Sequence, residues 1–142
     1  MIKTEMRPVK PHKTTVSVSD MDEYTLNWAV AKALGMQIYK AKQRAWLTKP
    51  YGQFDQSHRL PRWQPCSDWA QGGPIIEREG LGVTQYNNIP DRPENRWQCV
   101  KYQGGMIFGN HKPLCLYGPT PLIAAMRCFV ASKLGEEIEV TI

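Results

Sequence analysis

The sequence predicts a single compact α+β domain in which two main helices and a short helix pack on a mostly antiparallel sheet. Two stretches, about 22–34 and about 121–134, carry apolar residues at helical spacing between a capping residue and a glycine. Between and around them lie short alternating runs separated by tight-turn signals, the pattern of hairpin-linked strands rather than βαβ units. At 142 residues, with 42% apolar and 22% charged, the chain suits one domain with a core of its own.

Residues 1–12 mix Pro8 and Pro11 with Lys3, Arg7 and Lys10 and show no periodicity, so they are read as a mobile tail ahead of a folded domain at 13–142. Thr14 to Val18 is β-branched and alternating, a first strand. Ser19, Asp20 and Asp22 then offer caps, and Leu26, Ala29, Val30, Ala33 and Leu34 form one apolar stripe that Gly35 ends. Met36–Tyr39 and Arg44–Leu47 read as a strand pair around a basic turn, followed by a long polar, proline-punctuated loop from Thr48 to Pro65. Ser67-Asp68 caps a turn of helix at Trp69–Gln71, which Gly72-Gly73 is expected to break. Pro74 then opens a second helix that Gly80 closes. Strands are expected at Leu81–Tyr86 and Arg96–Tyr102, the latter turning at Gln103–Gly105 into Met106–Phe108, and again at Leu114–Tyr117. The last helix has Thr120 as cap, Pro121 at its first position and a stripe of Leu122, Ala125, Met126, Phe129 and Val130. An alternating strand follows from Glu136 to Ile142.

Several function classes find no support. No run approaches the roughly 18 apolar residues of a membrane span, and the first residues lack the apolar core of a secretory signal, so a cytoplasmic protein with no membrane partner is expected. Cys66, Cys99, Cys115 and Cys128 fall singly, and His12, His58 and His111 are equally scattered. The expectation is therefore free thiols, no metal and no cofactor. No GxSxG, HExxH, GxxxxGK[ST] or deaminase signature occurs. Glu77 and Glu79 would point to opposite sides of a helix, poorly placed for acid–base work, and a non-enzymatic protein is expected.

The charge is uneven. Lys40, Lys42, Arg44, Lys49, Arg59 and Arg62 face one acid, Asp55, between positions 40 and 62, an excess equal to the whole net charge of +5. With Tyr51, Phe54 and Trp63 interleaved, this segment suits an anionic partner, unless it is only a solvated loop.

Three blocks resemble the phage NinX-like family, in that family's order: Leu26 to Ala33, Ser67 to Glu77, and Gly118 to Arg127. The resemblance covers about residues 14–142 and implies a small cytoplasmic phage or prophage accessory protein. It brings no reaction with it.

The candidate ligand-binding residues are Asp68, Trp69, Gln71, Gly72, Gly73, Thr120 and Arg127. Trp69 is a stacking surface, Gln71 a hydrogen-bonding group, and glycines at two helix starts let backbone N–H groups approach a phosphate. Arg127 would pair with an anion or a helix cap. The plainer alternative is that the glycines make tight turns and Trp69 fills the core. The leading reading is an accessory protein that binds, and by binding sequesters, a small nucleotide-derived anion of host defence signalling. The alternative is a nucleic-acid- or host-protein-binding module using the basic aromatic 40–63 segment. A homo-oligomer is compatible with either.

Overall fold

The computed structural model describes residues 13–41, 44–48, 62–88, 90–102 and 113–141. The expected tail at 1–12, most of the 48–65 loop, the turn and strand at 103–108, and all three histidines lie outside the described residues.

Each α-helix among the described residues starts where a side-chain oxygen can take an unpaired N–H. Asp22 Oδ1 accepts from Thr25 N at 2.8 Å and opens α1, Glu23–Leu34, which ends on Gly35 in the left-handed region at φ 70°. Leu26, Ala29 and Val30 are wholly buried, as the stripe requires, while Ala33 sits at its rim. Lys32 lies 5.1 Å over the Trp28 ring on the outer face. The last helix in the chain, Pro121–Leu134, begins as expected, with Thr120 Oγ1 accepting from Ile123 N at 3.1 Å.

The middle helix departs from expectation. Instead of breaking at Gly72-Gly73, it runs unbroken as α2, Trp69–Glu79, with Pro74 inside it. The proline still removes one N–H from the ladder, but its ring meets no Cβ on the residue before it, because that residue is Gly73. Glycine here lets a helix continue into a proline rather than stopping it.

The Pro121–Leu134 helix, α3, is apolar nearly all round, with Ala124, Ala125, Met126, Cys128, Phe129 and Val130 at zero exposure. A helix of that kind belongs at the centre. It packs on α1 and α2 and on a sheet of β4 (Gly82–Gln85), β5 (Trp97–Lys101) and β6 (Leu114–Gly118), in the order β4-β5-β6. Among the described residues all strand pairs are antiparallel, divided among three small sheets. The first and last strands among the described residues, β1 (Thr14–Ser17) and β7 (Glu137–Val140), pair with each other. Between α1 and α2, β2 (Tyr39–Ala41) and β3 (Ala45–Leu47) form a hairpin, and Leu47 bridges to Arg62. No helix among the described residues is long and apolar enough to cross a membrane.

Candidate functional site

The residues singled out from sequence do not converge on one pocket. Asp68 is a helix cap, its Oδ1 accepting from Ala70 N at 2.9 Å. Trp69 is 57% exposed on the first turn of α2, so it does not fill the core. Gly72 is buried against neighbours: a Cβ there would come 2.5 Å from the Pro65 carbonyl oxygen and 2.6 Å from Leu122 Cδ2. Its place is set by close packing. Because α2 starts at Trp69, the N–H groups of Gly72 and Gly73 lie inside the helix rather than at its start, and the expected helix opening at Pro74 is not formed. Thr120 spends its hydroxyl oxygen on the α3 cap. Gly118, beside it, passes so near α3 that a Cβ would meet Ala124 N at 2.7 Å.

Arg127 reaches back from α3 and donates from Nη1 to the Tyr117 carbonyl at 2.8 Å. Its Nε is buried with no hydrogen-bond partner among the described residues. Burial lowers its pKa from the ordinary arginine value, against the opposing pull of Cys66 and Asp20.

Gln71 has a different role from the one expected. Its Oε1 accepts from Gln64 N at 2.7 Å and its Nε2 donates to the Arg62 carbonyl at 2.5 Å. It thus fixes the Arg62–Gln64 segment to α2. The same segment is held from the other side by α1. Trp63 Nε1 donates to the Asn27 carbonyl at 2.8 Å, and Asn27 Oδ1 accepts from Cys66 N at 3.1 Å. Asn27 is a buried polar residue, 6% exposed, and these bonds engage its side-chain oxygen and its main-chain carbonyl. Trp63 N also donates to the Trp46 carbonyl at 2.8 Å, tying the segment to β3.

This clasp frames a cavity of about 220 Å³ between the first turns of α1, the end of the hairpin and residues 62–64. Its walls include Tyr24, Trp46 and Trp63, and Arg44, Arg62 and Glu23 bring charge to it. The aromatic wall is fixed: Tyr24 and Trp46 stack at 4.8 Å and 16°, and Trp46 Nε1 donates to the Tyr24 carbonyl at 3.0 Å. Arg44 lies 4.6 Å over the Tyr24 ring and pairs with Asp22 through Nη2 at 2.8 Å. Burial alone would raise the Asp22 carboxyl, but hydrogen bonds from Thr25 and the Arg44 charge outweigh it and hold the group below the ordinary value. Arg44 is the one non-glycine with positive φ, 52°, among the described residues. A second, more open cavity of about 330 Å³ lies beside the first, lined by Thr14, Val16, Thr25, Lys40 and Val140, with Tyr24 and Arg44 again in its wall.

Of the basic 40–62 segment, the described members Lys40, Arg44 and Arg62 all line one or other cavity. Lys42, Lys49 and Arg59 lie outside the described residues. Sequence reasoning singled out the segment but missed Glu23, Tyr24, Asn27 and Trp46. Asn27 carried a usable signal, because Val30 and Ala31, three and four residues on, are apolar. A polar residue in such a row has a buried hydrogen-bonding task.

Such walls can bring two guanidinium groups to an anion beside aromatic side chains and accept N–H donors at Glu23. Among the described residues no group of three or more His, Cys, Asp or Glu side chains is placed to hold a metal. The sequence model of the family described as Bacteriophage P22, NinX matches residues 17–133, which is more than half of the chain. No curated protein matches.

Proposed function

Because the chain belongs to the Bacteriophage P22, NinX family, we propose that it is a phage accessory protein that acts by holding a small, ring-bearing anion of nucleotide type. By withdrawing that ligand, it would blunt a host defence signal made of nucleotide, and it would do so without catalysis. The observation that carries this reading is the cavity between α1, β3 and residues 62–64, where Arg44 and Arg62 stand beside Tyr24, Trp46 and Trp63. Aromatic side chains give a base apolar surface to rest against, and guanidinium groups take phosphate oxygens in pairs. The bonds from Gln71 and Asn27 hold the wall in place before any ligand arrives, which reduces the ordering cost of binding. This moves the site from the α2 start to the neighbouring cavity, while Gln71 keeps a supporting part.

The test is native mass spectrometry of protein isolated from infected cells, followed by titration calorimetry with nucleotides. A co-purifying nucleotide is expected, and Arg62→Gln should weaken its binding about tenfold. Absence of any nucleotide, or affinity indifferent to Arg62 and Arg44, would remove the reading. Binding of a polynucleotide instead would show as a steep loss of affinity between about 50 and about 200 mM salt. A ligand enclosed in the cavity responds far less.

A further inference from the structure

Resting on that reading, we infer that the ligand has two lobes. It is a dinucleotide-type anion whose rings occupy the cavities on either side of Tyr24 and Arg44, with a linking phosphate on the Arg44 guanidinium. Three observations converge on this. The two cavities share a wall, and the residues common to both are Tyr24 and Arg44. Each cavity also has a cation of its own, Arg62 in the first and Lys40 in the second. Their volumes, about 220 and about 330 Å³, are each at or below the lower end of ordinary ligand pockets, whereas together they fall well inside that range.

The dividing wall is built to stay. Tyr24 is stacked on Trp46, whose indole N–H is anchored to the Tyr24 main-chain carbonyl, so the Tyr24 ring cannot swing into either cavity without losing that stack. Arg44 caps it. Pairing of Ala41 with Ala45 leaves three residues at the hairpin end, and the last of them, Arg44, takes φ 52°, a conformation that glycine or asparagine adopts with less strain. An arginine at that position is explained by what its side chain does. Asp22 engages Nη2, which leaves the guanidinium with further N–H donors for an anion lying across the wall. In the second cavity, Thr14 and Thr25 offer hydroxyls and Val16 and Val140 apolar surface, a suitable bed for a second nucleoside.

Calorimetry on the full chain separates this inference from the reading beneath it. The probes are the four ribonucleoside monophosphates and the linear and cyclic dinucleotides of adenine and guanine. They are titrated into the parent protein and into Arg62→Gln, Arg44→Gln and Lys40→Gln variants whose folding is checked by circular dichroism. A dinucleotide should bind at least about tenfold more tightly than its mononucleotide. Lys40→Gln should bring that ratio towards one, and Arg62→Gln should weaken both ligands. If mononucleotides bind as tightly as dinucleotides, the two-lobed ligand is wrong while the site reading stands. A dinucleotide preference untouched by Lys40→Gln also overturns it, because the second ring then lies elsewhere. If no member of the panel binds, both fall.

Discussion

Gly72→Ala measures what glycine is for in α2. In an ordinary exposed helical position, the change would stabilise by about 1 kcal/mol, since alanine loses less backbone entropy on folding. Here the new methyl would stand 2.5 Å from the Pro65 carbonyl oxygen and 2.6 Å from Leu122 Cδ2. Leu122 can turn aside, but it is 3% exposed and packed around. The carbonyl belongs to the backbone next to the clasped 62–64 segment, so relief requires α2 to shift. Overpacking of this kind costs about 3 kcal/mol at its upper end, leaving a net loss of about 2 kcal/mol. For a chain of this size that is a fall of roughly 4–8 °C in melting temperature. Gly73→Ala is the control. Its Cβ would meet nothing nearer than Trp69 Cε3 at 4.0 Å, and the helix gain is opposed by crowding against the Pro74 ring, so it should stay within about 1 kcal/mol of the parent. Thermal and urea unfolding of both variants gives the answer. If Gly72→Ala melts at or above the parent temperature, the close approach of α2 to Pro65 is refuted, and a ligand-facing role for Gly72 returns.

Trp69→Ala should change stability by less than about 1 kcal/mol because the ring is largely exposed, whereas Phe129→Ala, at zero exposure, should cost about 3–5 kcal/mol. Equal losses in denaturant melts would contradict that burial. Glu79 Oε2 accepts from Lys101 Nζ at 2.9 Å and lies 3.4 Å from Lys133 Nζ. The Lys101 hydrogen bond, with these charges, holds its carboxyl below the ordinary glutamate value against the effect of burial. A depressed folded pKa contributes stability that is present above the unfolded value and lost as pH falls through the folded one. The parent should therefore lose melting temperature faster than Glu79→Gln below about pH 4.5, and parallel curves would remove the ion cluster as the cause. All four cysteines are free thiols, with Cys66, Cys99 and Cys128 buried and Cys115 partly exposed. A thiol reagent should label Cys115 in the native state well before the other three, which should react only on unfolding, and uniform labelling would contradict the core.

The sequence by itself determined the elements whose causes are local. The Thr120 cap, the Gly35 stop and most of the apolar stripes of α1 and α3 depend on residues within one or two turns of one another and stand where pattern placed them, and Asp22 is one of the three caps that the sequence offered for α1. The family blocks were equally legible, and so was the concentration of positive charge between Lys40 and Arg62. Only the tertiary structure decided what the glycines of α2 do. Gly72 answers to a carbonyl at Pro65 and a side chain at Leu122, and neither proximity is encoded near position 72. It also moved the candidate site. The cavity is made by Glu23, Arg44 and Arg62, distant in sequence, brought together because indole N–H groups on Trp46 and Trp63 bond to carbonyls of α1 and Asn27 and Gln71 fasten the 62–66 segment from two sides. Periodicity and capping read forces that act along the chain, whereas a binding cavity is a product of contacts across it, which exist only once the helices have packed.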